Sequence, residues 1–109
     1  MFKYTNKTID VKYEAGLHYT IEYLPDNKLK WTTLGKSLDG APEAAEETFY
    51  FVEIAPNVFN LNWIEESGIS VSQTINFETK VVYAFLAWDD VTARGKRAFA
   101  EQHGKIEFI

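Results

Sequence analysis

The segment around Glu65 is the part of the sequence whose residue types could perform chemistry. Two runs, residues 58–63 and 69–75, alternate apolar and polar side chains, which is the period of a half-buried strand. Gly68, in the turn between them, supplies the backbone freedom that a hairpin needs. By parity Glu65 shares a face with Trp63, so a carboxylate continues an apolar row. A desolvated glutamate has a raised pKa and can act as a general acid.

Several aromatic and amide side chains share the inward parity of their own runs. With Glu65 they form the predicted ligand-binding set: Tyr13, Tyr19, Tyr23, Trp31, Trp63, Glu65 and Gln73. Buried hydroxyls and amides need hydrogen-bond partners, and a small aromatic or carboxylate ligand can be that partner. The alternative to ligand binding is a purely structural role for these residues. The tyrosine hydroxyls would then lie at the barrel rim, Gln73 would bond a backbone group, and Glu65 would be only a turn residue. Glu65 is the candidate catalytic residue if the protein is an enzyme.

The sequence motifs of common metal, cofactor and nucleophile sites are missing. The chain has no cysteine and only two histidines, which excludes thiolate sites and histidine-rich metal sites. Residues 34–37 resemble the end of a phosphate-binding loop, but the full motif requires a glycine where Lys30 stands and a following helix, so we reject it. Four acidic residues are interpreted as solvated loop acids, because no spacing among them builds a cation site: Asp39, Glu43, Glu46 and Glu47. We therefore expect no metal and no cofactor.

Short strands would have to position the candidate side chains. Apolar or alternating runs between turn signals predict strands over residues 7–13, 17–24, 28–34, 47–54, 58–63, 69–75, 80–88 and 105–109. Residues 35–46 predict a long loop with one helical turn after Pro42, either a lid or binding loop or a plain surface excursion. Residues 89–103 are polar and predict a short helix that Gly104 ends.

Consecutive hairpins predict an all-β fold, a small antiparallel up-and-down barrel of about eight strands. Closure removes exposed sheet edges, and a barrel of this size has room for side chains or for one small ligand. Trp63, Val71 and Phe85 are expected to face inward. A half-open, strongly curved sheet is the alternative. The 109 residues, without a linker or repeat, predict one domain over 1–109.

Composition indicates the expected location and partners. The absence of cysteine, which small secreted domains usually need, and of an apolar signal region near the N-terminus predicts a cytoplasmic protein. No window approaches the roughly 18 apolar residues of a membrane span. The net charge of −5 argues against nucleic acid. Basic side chains cluster only near the C-terminus and are interpreted as a solvated surface: Arg94, Lys96, Arg97 and Lys105. The expected partner is a small molecule, not a nucleic acid or a membrane, and a homodimer stays open.

An ordered set of short motifs resembles the MoaF-like proteins. The pattern is Phe51-x-x-Ile54-x-x-Asn57-Val58-Phe59-x-x-x-Trp63-x-Glu65-x-x-Gly68-x-x-Val71-Ser72-Gln73. The terminal Gly104-Lys105-Ile106 is similar to their closing strand. This resemblance implies a calycin-type, lipocalin-like barrel with a cavity, in a family without a well-defined reaction.

The same region resembles, more distantly, the phenolic acid decarboxylases, which share the lipocalin-like barrel. Their first hairpin is similar to Tyr13-Glu14-x-Gly16-x-x-Tyr19, and the segment with their catalytic glutamate is similar to Trp63-x-Glu65-x-x-Gly68. Their second carboxylate-binding tyrosine falls on Val11, and the chain's two arginines lie far downstream of the position of theirs. The resemblance therefore implies the barrel, Tyr13, Tyr19 and Glu65, and we expect no decarboxylation of p-coumaric or ferulic acid.

Three functions follow from these observations. The first is a cytoplasmic MoaF-like barrel that binds a small apolar or aromatic molecule in its interior. The second is a small lyase or isomerase related to the decarboxylases, using Glu65 and the tyrosines. The third is a filled barrel with a structural or dimerisation role. An empty cavity lined by Tyr13, Tyr19, Trp63 and Glu65 would favour the first two, and a packed centre would favour the third.

Overall fold

The structure is a computed structural model that describes residues 1–35 and 42–109. Across these residues the chain forms nine strands and one short 3-10 turn. The elements are β1 Thr8–Tyr13, β2 His18–Leu24, β3 Lys28–Thr33, β4 Ala44–Thr48, β5 Tyr50–Ala55, β6 Val58–Ile64, β7 Ser70–Asn76, β8 Val81–Asp89, the turn Arg94–Lys96 and β9 Arg97–Phe108. No helix in the described ranges is long and apolar enough to span a membrane.

All nine described strands belong to one antiparallel sheet, in the order β4-β3-β2-β1-β9-β8-β7-β6-β5. Neighbours in the chain are neighbours in the sheet except for β4 and β5, and β9 pairs with β1 as well as with β8. Only Phe49 separates β4 from β5, although these strands occupy the two ends of the order. The sheet therefore curls into a nearly closed barrel, and the prediction of a small antiparallel up-and-down barrel is confirmed.

An aromatic cluster fills one end of the barrel. Phe2, which is 2% exposed, places its ring centroid 4.7–5.2 Å from those of Tyr23, Phe49, Phe51 and Phe59. Tilted and edge-to-face rings at such distances are the favoured packing of aromatic side chains. We call this the closed end. The β1–β2, β6–β7 and β8–β9 connections lie at the other end, which we call the mouth.

The region predicted as a long loop contains a strand. β4 begins at Ala44 and pairs with β3, from Thr32↔Ala44 to Lys28↔Thr48. The predicted helical turn after Pro42 is therefore wrong. Pairing with β3 hydrogen-bonds the backbone of β4 and places Ala45 on the inner face, which outweighs the local helical preference of a Glu-Ala segment. Residues 36–41 of the predicted loop, and the phosphate-loop-like 36–37 with them, lie outside the described residues.

The helix predicted for residues 89–103 is also wrong. This segment forms the turn Arg94–Lys96 and then enters β9, which pairs with β8 from Asp89↔Arg97 to Val81↔Lys105. Gly104 does not end an element, because it lies inside β9 opposite Tyr13. Long-range pairing with two neighbouring strands stabilises this polar segment as a strand, which its own sequence does not indicate.

The inward orientation is confirmed for Trp63 and Val71 and is wrong for Phe85. Trp63 and Val71 are each 6% exposed, whereas Phe85 is 37% exposed and stacks on Phe99 at the outer surface. The run 81–88 is apolar at every position, so the sequence offers no alternation from which to choose a face. The strand register decides which face Phe85 takes. Ala84 pairs with inward-facing Gln73, so the next residue, Phe85, faces outward.

Candidate functional site

A cavity of about 50 Å³ lies inside the barrel near the mouth. Residues of the predicted ligand-binding set that line it are Tyr13, Tyr19, Trp31, Trp63, Glu65 and Gln73. Tyr23 does not line it, because its ring packs at the closed end, 4.7 Å from Phe2 and 5.8 Å from Phe49. The barrel thus brings together side chains from six strands or turns that are up to sixty residues apart in sequence.

Tyr13 and Gln73 form a buried hydrogen bond across the barrel. The Gln73 amide nitrogen donates to the Tyr13 hydroxyl at 2.9 Å, which connects β1 to β7. Burial raises the pKa of Tyr13 to about 12, against the hydrogen bond from Gln73, which lowers it. Within residues 1–35 and 42–109 the other amide atom, Gln73 Oε1, is buried without a hydrogen-bond partner.

Glu65 occupies the position that the sequence predicted, at the end of the inward row of β6. Its backbone N–H donates to the Ile69 carbonyl and its carbonyl accepts from Gly68, both at 2.8 Å, so Glu65 closes the β6–β7 turn. Its carboxylate accepts a hydrogen bond from Trp63 Nε1 at 3.2 Å. Desolvation raises the pKa of Glu65, the Trp63 bond lowers it, and the nearby charge of Glu47 raises it further. Glu65 is therefore a turn residue and a cavity residue at once.

Glu47 is a buried carboxylate beside the cavity, bonded to the wall residue Trp31, and the sequence-based prediction missed it. Its interpretation as a solvated loop acid is wrong, since it is 8% exposed and its carboxylate accepts a hydrogen bond from Trp31 Nε1 at 3.0 Å. Its position on β4, two residues before the buried Phe49, places it on the inner face. The predicted strand over residues 47–54 already contains Glu47, so this parity was a signal in the sequence that its grouping with the loop acids overlooked.

Gln102 is the second residue that was missed. It lines the cavity from β9, and among the described residues its buried Oε1 has no hydrogen-bond partner. Residues 89–103 were predicted as a helix, and strand parity, which would place Gln102 on an inner face, does not apply to a helix. The rest of the wall is apolar: Val11, Leu17, Ile21, Val71, Ala84 and Leu86.

Perpendicular aromatic rings form another part of the wall. The rings of Tyr19 and Trp31 lie 6.0 Å apart at 84°, and those of Tyr13 and Tyr19 lie 6.4 Å apart at 74°. Burial, followed by the charge of Glu65, raises the pKa of Tyr19. No lysine, arginine or histidine from the described residues lines the cavity. The site can therefore hold flat apolar groups and hydrogen-bond donors, but it offers no cation to an anionic group.

A larger cleft of about 820 Å³ opens on the side of the barrel, between β4 and β6. It shares Trp63 and Val71 with the interior cavity, so the two spaces meet at these side chains. Arg97 lines the cleft, where it bonds Asp89 at 2.9 Å and Ser70 at 2.9 Å. Within the described residues no three histidine, cysteine, aspartate or glutamate side chains come together as metal ligands would.

Comparison with known proteins places this barrel in a family. The family model described as MoaF-like matches residues 5–101. This chain belongs to the MoaF-like family. The matched region contains all of the cavity wall except Gln102, and the predicted MoaF-like resemblance is confirmed.

A crystal structure from Burkholderia vietnamiensis, described provisionally as a beta-lactamase, is similar to this MoaF-like protein. The TM-score is 0.81 at 18% sequence identity, and the similarity covers 98% of this chain and 96% of that one. At this identity the likeness shows the barrel fold alone. No curated protein matches the sequence.

Proposed function

We propose that this MoaF-like barrel binds a small aromatic or otherwise apolar molecule in its interior, at the mouth end. The observation that carries the proposal is an aromatic cavity lined by two glutamines whose amide oxygens are buried and, among the described residues, without a hydrogen-bond partner. Tyr19, Trp31 and Trp63 supply flat apolar walls, and Gln73 and Gln102 supply amide groups. This combination of apolar lining and a few convergent polar groups is typical of small-molecule sites.

The unpaired amide oxygens argue against a filled barrel with a purely structural role. A buried acceptor without a partner costs about 1–3 kcal/mol of stability. Among the described residues Gln73 Oε1 and Gln102 Oε1 are both in that position. A cavity needs about 10–15 Å³ to hold one water, and about 50 Å³ is open here. The interior thus has room for several waters, or for the part of a ligand that would displace them.

A decarboxylase-like reaction receives less support. Val11 lines the cavity where the resemblance to phenolic acid decarboxylases would place a second tyrosine. A substrate carboxylate would enter an interior that presents Glu65 and, from the described residues, no basic side chain. A buried anion without a cation is strongly disfavoured. Beta-lactamase chemistry has no support in the sequence either, which lacks a Ser-x-x-Lys motif.

Tryptophan fluorescence tests the proposal directly. Trp31 and Trp63 line the cavity, whereas Trp88 is exposed, so a Trp88→Phe background makes the emission report on the interior. Titration with indole, phenol and benzyl alcohol should quench or shift the emission and raise the melting temperature by mass action.

A matched pair of variants locates the binding. Ala84 lines the cavity and is 1% exposed, while Ala87 faces outward on the same strand. Ala84→Leu should fill the cavity and abolish the fluorescence response, and Ala87→Leu should retain it. A wild-type protein that shows neither a spectral change nor a rise in melting temperature with any such compound would instead support the structural role.

A further inference from the structure

We propose that the interior site selects a protonated amine carried on an aromatic or apolar body, with the ammonium group beside Glu65 and the Trp31 and Trp63 indoles, where the cavity meets the side cleft that Glu47 lines. The proposal rests on the proposed function, because it assumes a small molecule in the cavity. The proposed function leaves the charge of the ligand open, and this inference specifies that the recognised group is positively charged.

Two tryptophan–glutamate pairs carry the inference. Trp31 Nε1 donates to Glu47 Oε2 at 3.0 Å, and Trp63 Nε1 donates to Glu65 Oε2 at 3.2 Å. Trp31, Trp63 and Glu65 line the cavity, and Glu47 lines the side cleft that meets the cavity at Trp63 and Val71, so the two pairs flank the same opening. The indole bonds fix both carboxylates in place without neutralising them.

No ion pair in the described part of the chain compensates this negative charge. The ion pairs of residues 1–35 and 42–109 involve neither Glu47 nor Glu65. Arg97 lines the same cleft as Glu47, but its guanidinium is bonded to Asp89, Ser70 and the Ala87 carbonyl. Two part-desolvated carboxylates without a cation are costly, and a bound cation would remove that cost.

The unpaired polar atoms of the cavity are acceptors as well. Gln73 is 2% exposed, and its Oε1 has no partner among the described residues because the amide nitrogen is committed to Tyr13. Gln102 Oε1 is in the same position. An ammonium group has three donors and no acceptor, so it matches a wall of amide and carboxylate oxygens better than a hydroxyl or a carbonyl does.

The aromatic walls favour the same ligand charge. Rings set nearly at right angles, as Tyr19 and Trp31 are, form two sides of a box. The negative faces of such rings attract cations, and aromatic boxes of this kind bind ammonium groups. Aromatic walls, fixed carboxylates and unpaired acceptors are independent features, and all of them disfavour an anion.

The discriminating experiment uses three ligands with one ring: benzylamine, benzyl alcohol and benzoate, titrated at pH 7 against Trp88→Phe protein. Benzylamine should bind about 10- to 100-fold more tightly than benzyl alcohol, the ratio expected for charge-assisted hydrogen bonds. Benzoate should not bind. Equal binding of benzylamine and benzyl alcohol would overturn the amine preference and leave the proposed function standing. If none of the three binds, and indole and phenol do not bind either, both proposals fail.

Variants of the carboxylates separate charge from shape. Glu65→Gln and, independently, Glu47→Gln should each weaken benzylamine at least about tenfold while leaving benzyl alcohol unchanged. Glu78→Gln removes the same charge from an exposed side chain in the β7–β8 turn, away from the mouth, and should change neither affinity. NMR titration gives a second readout in the wild-type protein, because a bound ammonium should lower the pKa of Glu65. Equal loss of benzylamine affinity in all three variants, or an unchanged Glu65 pKa in the complex, would contradict the proposal.

Discussion

Glu65 is a half-buried carboxyl group whose ionisation opposes folding. Burial raises its pKa above the ordinary value of 4.5, so the folded protein holds the proton more tightly than the unfolded chain. By linkage, the stability associated with its neutral form is fully present below pH 4.5 and is lost as the pH rises through the folded-state pKa.

Replacing Glu65 by glutamine should therefore stabilise the ligand-free protein at pH 7 and not at pH 4. Glutamine keeps an acceptor for Trp63 Nε1 and removes the charge. Melting temperatures at the two pH values, with Glu66→Gln as the exposed control, would measure the effect. An unchanged melting temperature at pH 7, together with an ordinary pKa for Glu65 by NMR, would show that Glu65 is solvated.

The Tyr13–Gln73 hydrogen bond should behave as a coupled pair. Tyr13→Phe leaves the Gln73 amide without its acceptor, and Gln73→Leu leaves the Tyr13 hydroxyl without its donor. Each single variant should lower the free energy of unfolding by about 1–3 kcal/mol. The double variant should cost less than the sum, because no buried polar group is then left over. Additive losses in urea denaturation would indicate that water replaces the missing partner.

At the scale of the element, Gly104 permits β9 to reach β1. A Cβ at Gly104 would overlap the Lys12 carbonyl oxygen and come within 2.7 Å of the Tyr13 Cα. Both atoms belong to the backbone of a paired strand and cannot move aside without breaking the β1–β9 register. This contact explains a glycine inside a strand, where glycine is otherwise unfavourable.

Gly104→Ala should destabilise the protein by at least about 1–3 kcal/mol, the cost of overpacking a rigid contact. Gly35→Ala is the matched control, since its added Cβ would meet the His18 Cβ at 3.4 Å and the Gly16 carbonyl oxygen at 3.8 Å, without overlap. Hydrogen exchange should show lost protection in β1 and β9 for the first variant alone. Equal stability of the two variants would mean that the strands separate more easily than this packing implies.

At the scale of the whole molecule, the two ends of the barrel have different roles. Aromatic rings close one end, whereas the mouth holds polar groups and open volume. Phe2 is central to the closed end, although it precedes the first strand by six residues. The aromatic cluster stabilises the barrel without contributing to the cavity wall, so the stability of the fold and the chemistry of the site are separated along the barrel axis.

Phe2→Ala should consequently lower stability by about 3–5 kcal/mol, the usual cost of truncating a buried phenylalanine. Phe99→Ala, at a side chain that is 61% exposed, should cost much less. Ligand affinity at the mouth should survive in Phe2→Ala protein at a temperature where it is folded. Loss of affinity in that folded variant would show that the closed end also shapes the site.

Alternation and turn chemistry in the sequence are sufficient to predict most of the strands, the antiparallel barrel and most of the cavity wall. Tyr13, Trp63, Glu65 and Gln73 could be placed on inner faces because each lies in or directly follows a strongly alternating run, where parity leaves one choice. Local sequence is enough in such runs, since a slip of one residue would expose the whole apolar row.

Only the tertiary structure decided the remaining features, and each of them depends on a distant partner. β9 is a strand because β8 and β1 pair with it, and Phe85 faces outward because β7 sets the register of a uniformly apolar run. Glu47 is buried because Trp31 on the neighbouring strand binds it, and Phe2 is buried because rings from four strands and turns enclose it. Sequence periodicity reports which face of a segment is apolar, whereas pairing partners and ring contacts between remote residues exist only once the sheet has closed.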